Sequence, residues 1–413
     1  MIRSWFLARH GLRQHALSAA IAAGSLALAN GLALSTWALQ ARAREAFTAG
    51  RLGFDGVAGP RGSQLQLVLS AVFLLEPAPG TLRWEEYRKL AGDPRVERAV
   101  PLVLGDSWSG FRLVGTTPER FQLGPGGALG FAAGRPFDPA RAEAVVGSFV
   151  AERGLPLGAT FRPAHGLEEG GHEHDEELTV VGVLAPTNGP LDRAILVPLE
   201  AMLHLSGHVL RGGPDGRPYE PVEGQPIPDE VKEVSAVLLR LRGIQAGFQL
   251  QEELERRGRT ITFAWPVGRV VAGLFDRTAW VARVLELVAG LVLLVAGASV
   301  LTSLYNTMRE RRRELAVLRA LGARRSTVFA AVLLEAVAIA ALGAVCGLLL
   351  HLALVAGAAA VVRAETGVHL AVLAWHPALA AVPLLTVLLG ALAGVLPAWQ
   401  AYTTDVAEGL APH

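Results

Sequence analysis

The chain has 413 residues, enough for two or three domains. Hydrophobic residues make up 51 % of it and charged residues 18 %, against about 25 % charged in a soluble globular chain, with a mean hydropathy of +0.37. A balance of 38 basic and 37 acidic residues, net +1, excludes a disordered chain and argues against a nucleic-acid binder, and the single cysteine, Cys346, excludes an intrachain disulfide framework or a Cys-rich zinc module.

Residues 1–16 carry Arg3, Arg9 and Arg13 and precede an uncharged run, 17–39, long enough to cross a bilayer. Ala41-Arg42-Ala43 resembles a signal-peptidase site, but 23 apolar residues exceed the 7–15 of a signal h-region, so the run is expected to stay as a membrane anchor. Residues 40–275 differ in texture: they hold most of the Pro, Asp and Glu. Alternation predicts strands over Gln64–Leu75, Val96–Val103, Glu177–Leu184, Val234–Leu241 and Thr260–Ala264, and helices are expected over Trp84–Ala91 and Ala246–Arg257. The first and last parts read as α/β. The middle, about 125–220, is richer in Gly and Pro. Arg269–Arg277 has no Pro and a single Gly, which predicts a helical stalk running into the next apolar segment.

Three further spans follow, at 279–305 (Arg283 and Glu286 near its start), 328–360 (Glu335 and His351 inside) and 378–402, which carries no charge. The fold class is therefore a four-helix membrane protein with a large α+β domain inserted between helices 1 and 2. Segment 306–326 contains Arg309, Arg311, Arg312, Arg313, Arg319, Arg324 and Arg325. By the positive-inside rule it is cytoplasmic together with residues 1–16 and the 403–413 tail, while the insert and the 361–377 loop lie outside. Within it, Leu315, Leu318 and Leu321 form one stripe of a short amphipathic helix, Gly322 fits a helix end, and Ser326 fits the N-cap of the next helix. Such a helix can bind anionic lipid or dock a cytoplasmic protein.

Gly343-x-x-x-Gly347 and Gly390-x-x-x-Gly394 are expected to let helices pack closely, as are Gly24, Gly31, Gly290 and Gly297. Glu335, an acid inside a span, suits a proton site or a bond to a neighbouring helix, and His351 suits a packed histidine. Paired midplane charges and broken helices, expected of an ion-coupled transporter, do not occur.

A Walker A loop needs Gly-Lys-Ser/Thr to cradle phosphate. The chain's two lysines, Lys89 and Lys232, are followed by Leu90 and Glu233, so ATP hydrolysis would have to come from another polypeptide. No nucleophile elbow or HExxH motif occurs either, so no catalytic residue is assigned and the chain is not expected to be an enzyme. One run stands out as a metal candidate: His165, His172, His174 and Asp175 among Glu168, Glu169, Glu173, Glu176 and Glu177. Imidazole and carboxylate suit Zn²⁺, and His-x-His in an extended chain puts both rings on one face. His204 and His208 form a second pair at helical spacing.

The stretch Arg313-Glu-Leu-Ala-Val-Leu-Arg-Ala-Leu-Gly-Ala323 resembles the signature that follows the second span in permease subunits of MacB/FtsX/LolC-type ABC transporters. Leu396-Pro-Ala-Trp-Gln-Ala-Tyr402 resembles the end of their last span, and Phe111–Phe121 and Pro190–Leu199 resemble their MacB-like periplasmic core domain. The resemblance implies a bacterial inner-membrane permease that transmits ATP-driven motion to its outer domain (mechanotransmission). It further implies an insert split into an α/β subdomain (46–124 and 221–270) and a mostly-β subdomain (125–220). Arg312, Arg313, Glu314, Leu315, Leu318, Arg319, Leu321 and Gly322 would contact a dimeric ABC ATPase that binds ATP and Mg²⁺. The other implied partners are a second permease copy, most simply a homodimer, membrane lipid, and a periplasmic adaptor or lipoprotein. Peptide, lipoprotein, lipid and drug all remain open as cargo. The rival readings are an ATP-independent envelope sensor or metal-binding membrane protein, and an ion-coupled transporter.

Overall fold

The computed structural model describes residues 2–48, 52–124, 126–166, 172–205, 210, 219, 221–222, 225–258, 260–310, 312–366, 373 and 375–403. It divides into a helical unit (Met1–Arg42, Thr278–Ala360, Ala371–His413) and a sheet unit (Ala43–Arg277, Val361–Leu370). Glu168, Glu169, His208, residues 367–372 and 374 of the 361–377 loop and the tail beyond Thr403 lie outside the described residues.

The helices, in chain order, are α1 (Ile2–Gln14), α2 (Ala16–Thr48), α3 (Gln64–Ala71), α4 (Trp84–Ala91), α5 (Ser148–Glu152), α6 (Leu199–Leu203), α7 (Ile244–Gln251), α8 (Val267–Glu310), α9 (Arg312–Ala320), α10 (Arg325–Thr366) and α11 (Ala378–Thr403). Among the described residues, four stretches of these are long and apolar enough to cross a membrane: Ala16–Leu39, Arg283–Glu310, Arg325–Glu365 and Ala378–Thr403. The stalk segment Arg269–Arg277 is helical and forms the beginning of α8.

The strands are β1 (Gly56–Pro60), β2 (Leu82–Arg83), β3 (Val96–Trp108), β4 (Phe111–Thr116), β5 (Phe131–Gly134), β6 (Glu143–Val146), β7 (Thr160–Phe161), β8 (Ala164–His165), β9 (Leu178–Leu184), β10 (Ile195–Pro198), β11 (Glu233–Val234), β12 (Ala236–Leu241) and β13 (Ile261–Ala264). Eleven of them form one sheet in the order β13-β1-β12-β3-β4-β10-β6-β9-β5, with β7 on β9 and β8 on β3, and β2 pairs with β11 separately. The centre is covered on both faces: every residue of β4, β6 and β10 is buried, including the polar Arg112, Thr116 and Glu143 among mostly apolar neighbours. Ile195 and Val197 enter one core and Leu196 the other, as the pleat requires. Towards the edge, β9 alternates buried and half-buried residues, the pattern of a strand with one covered face.

One expectation changes here. Gln64–Leu75 is not a strand: α3 occupies Gln64–Ala71, opened by the Ser63 hydroxyl accepting from the Gln66 N–H at 3.4 Å. Its Leu-x-Leu alternation coincides with a helical stripe, since Leu67, Val68, Ser70 and Ala71 are the buried residues. Across the sheet, β4 pairs in parallel with β10, Leu113 opposite Ile195.

Glu143, at the start of β6 and nearly buried, accepts from Arg135 Nη1 at 2.8 Å and Nη2 at 2.6 Å and from the Asp138 N–H at 2.8 Å. The Arg135 hydrogen bonds hold its carboxyl below the usual carboxylate range. Its contribution is therefore complete above the unfolded carboxylate pKa, about 4.3, and disappears as pH falls through the lower folded value. Glu143→Gln should cost about 1–3 kcal/mol at pH 7, and its gap from the wild type should narrow below about pH 4. Denaturant unfolding of the purified chain at the two pH values measures this. An equal gap at both would contradict the assignment.

Candidate functional site

Two spans are joined by α9, whose end is built from backbone geometry. Gly322 adopts φ +98°, its N–H reaches the Arg319 carbonyl at 3.0 Å, and the Ala323 N–H reaches the Leu318 carbonyl at 3.0 Å. This is the Schellman arrangement, which stops a helix abruptly and turns the chain. Arg312, Arg313, Glu314, Leu315, Leu318 and Arg319 lie on α9, and Leu321 lies in its closing turn. Leu321 is 80 % exposed and Val317 43 %, so two apolar side chains of this segment stand outward. The expected N-cap is displaced: α10 already begins at Arg325, so Ser326 lies inside its first turn, and the Arg324 carbonyl accepts from the Thr327 N–H at 2.9 Å.

Within the helical unit, close packing runs through the paired glycines. A Cβ on Gly343 would lie 2.7 Å from Leu26 Cβ, and one on Gly347 would lie 2.6 Å from Asn30 Cβ and 3.1 Å from the Ala27 carbonyl. The first and third spans thus approach backbone to backbone. Gly390 and Gly394 of the fourth span face Ala340 and Ala336 of the third. Gly31 faces Leu350 and Gly297 faces Leu389, whereas Gly24 and Gly290 meet nothing. Glu335 is buried. His351 is also buried and shares a 3.2 Å hydrogen bond between its Nδ1 and Ser35 Oγ. Thr386 donates to Asn30 Oδ1 at 2.6 Å, linking the first and fourth spans. Asn30 and Thr386 were not singled out in sequence. The available signal was an amide inside an apolar run.

In the sheet unit, the histidine run is brought together with a residue that sequence reasoning missed. Asp106 on β3 lies directly opposite His165 on β8. Asp106 Oδ1 is 3.1 Å from His165 Nδ1 and 3.3 Å from His174 Nε2. His172 and Asp175 are exposed and outside this group of three. The returning 172–174 segment meets 163–165 at the Glu173–Ala164 bridge, with His174 buried and His172 exposed. His204 stands elsewhere, its ring nitrogens 2.8 Å and 3.0 Å from the Glu200 and Gln225 carbonyls.

The architecture is that of a membrane permease with an inserted sheet domain. The MacB-like periplasmic core domain family matches residues 21–257, more than half of the chain, and the FtsX-like permease C-terminal family matches 286–406. The chain belongs to the FtsX-like ABC transporter permeases that carry a MacB-like periplasmic core domain.

Among curated relatives, the uncharacterized ABC transporter permease YknZ of Bacillus subtilis is 30 % identical over 141 residues, 34 % of each chain. The macrolide export ATP-binding/permease protein MacB of Nitrobacter winogradskyi is 33 % identical over 127 residues, 31 % of this chain and 19 % of its own. MacB of Bordetella avium is 29 % identical over 158 residues, 38 % and 24 %. The matched part thus spans between 19 % and 34 % of these relatives' lengths. Two solved structures are similar. The extracellular domain of the transporter YknZ covers 51 % of this chain and 98 % of its own, with 14 % identity and a TM-score of 0.30. The periplasmic region of MacB from Actinobacillus actinomycetemcomitans covers 54 % and 94 %, with 10 % identity and a TM-score of 0.35.

Proposed function

We propose that this chain is the transmembrane subunit of an ABC complex in which a separate ATPase subunit, holding ATP and Mg²⁺, drives movement of the inserted domain for export or extraction of a peptide, lipoprotein, lipid or drug. The observation that carries the reading is α9: a short arginine-rich helix with exposed Val317 and Leu321, ended sharply at Gly322, between two spans of an FtsX-like permease. The arginine distribution supports placing α9 in the cytoplasm and the sheet unit outside. The chain's two lysines, neither in a Walker A context, support putting hydrolysis on a partner. A dimeric ATPase would call for two permease copies, and closed two-fold symmetry is the commonest assembly. Outward apolar residues such as Leu291, Leu294, Leu388 and Leu392 suit lipid or the second copy. The helical state of the stalk segment within α8 supports reading it as an element that transmits motion.

The test is affinity purification of the tagged chain from its native host, followed by ATPase assay in nanodiscs. A Walker-containing subunit should co-purify, and the double variant Arg313→Glu, Arg319→Glu should reduce that recovery about tenfold or more, the loss of roughly 1.4 kcal/mol of binding. Recovery of no ATPase by the intact chain would refute the proposal. The envelope-sensor alternative draws its support from the Asp106–His165–His174 group.

A further inference from the structure

Asp106, His165 and His174 are brought together by backbone pairing alone, which makes their convergence a property of the fold. The Asp106↔His165 register sets two of them side by side on antiparallel strands. The chain then returns: the His165 N–H bonds the His172 carbonyl at 2.9 Å, and the His174 N–H bonds the Pro163 carbonyl at 2.9 Å. The neighbouring turn is tied down as well, with Ser107 Oγ donating to the Gly166 carbonyl at 2.6 Å and the Gly166 N–H to the Gly105 carbonyl at 3.0 Å. Asp106 and His174 are buried, while the His165 side chain is 61 % exposed.

We infer that these three residues form a site for a divalent transition-metal ion, zinc by preference, in the sheet unit. Two imidazole nitrogens converge on the same carboxylate oxygen, at 3.1 Å and 3.3 Å, and the three donor atoms lie within 4.8 Å of one another. Zinc bonds of about 2.0–2.1 Å place tetrahedral donors about 3.3 Å apart, close to the two nitrogen–oxygen spacings of 3.1 Å and 3.3 Å. Nitrogen donors select zinc and its neighbours over magnesium and calcium, which take oxygen. Three protein ligands leave a fourth position, and the exposed side at His165 opens it to water or to a further donor. A metal here would fasten the β3–β8 pair to the returning 172–174 segment. The rival physical account is an imidazole–carboxylate ion-pair cluster, which needs the same distances and no metal. The inference stands apart from the ATPase-coupled reading.

The experiment uses the full chain in detergent, stripped with chelator and titrated with Zn²⁺ by calorimetry, with Co²⁺ absorption as a second readout. About one equivalent of zinc should bind saturably, and Co²⁺ should give the intense visible bands of a tetrahedral site. Asp106→Asn and His174→Ala should each weaken zinc binding at least tenfold and abolish the Co²⁺ bands, while His172→Ala and His204→Ala should bind as the wild type does. If the buried substitutions prevent folding, His165→Ala, on an exposed side chain, gives the same readout. Absence of saturable uptake identifies the ion-pair cluster and overturns the inference. So does uptake unchanged by His165→Ala or Asp106→Asn, or uptake displaced equally well by Ca²⁺.

Discussion

Gly347→Leu should destabilise the native packing of the helical unit. A Cβ at this position already overlaps Asn30 Cβ at 2.6 Å and presses the Ala27 carbonyl at 3.1 Å, so the first span must move away. Retreat also separates groups that depend on that approach: Gly343 from Leu26 and Ala23, and Ser35 from His351. Overpacking in a filled core costs about 1–3 kcal/mol, and a rigid backbone carbonyl on the facing helix puts this site at or above the top of that range. The expected result is a thermal midpoint in detergent lowered by several degrees, or loss of monodisperse protein. Gly357→Leu and Gly24→Leu, where a Cβ meets nothing within 4 Å, should be close to neutral. Equal melting of all three variants would show that the glycine seam does not hold the unit together.

The second large effect belongs to Gly322. Its φ of +98° lies in the region where a side chain is strained, and both closing hydrogen bonds of α9 depend on it. Gly322→Val should cost about 1–3 kcal/mol at that turn, most simply relieved by unwinding the end of α9 and redirecting Leu321. If α9 is where the ATPase docks, the variant should retain wild-type melting of the bulk of the chain and wild-type zinc behaviour. It should lose about tenfold or more of ATPase recovery, because the defect is confined to one turn. Full ATPase recovery with Gly322→Val would remove α9 from the proposed interface, while loss of global stability would make the substitution uninformative about docking and would contradict the local role of this turn.

Local patterns were legible where one period dominates. The bounds of α4 follow from Glu85 and Glu86 in its first turn and Arg88 and Lys89 in its last. The end of α9 was visible in Gly322, because only glycine takes that φ without strain. Ser326 shows the limit of such signals: a good N-capping residue does not cap when the helix starts one residue earlier. The error at α3 has the same origin, since an eight-residue run can satisfy a period of 2 and a helical stripe together, and tertiary burial of Leu67, Val68 and Ala71 decides between them.

By itself, the sequence determined the properties that reside in composition and local spacing: four apolar spans, a polar insert, arginines concentrated in 306–326 and the small-residue pairs. These depend on the transfer of side chains between water and lipid and on backbone preferences, which act residue by residue. The tertiary structure decided which distant residues meet. Nothing local says that Gly347 faces Asn30, that β4 pairs with β10 across some 80 residues, or that Asp106 is the partner of His165 and His174. Those pairings follow from strand register and helix packing, where one residue of slip exchanges the buried and exposed faces. The histidine run was therefore visible as a candidate, but the carboxylate that completes the group was not.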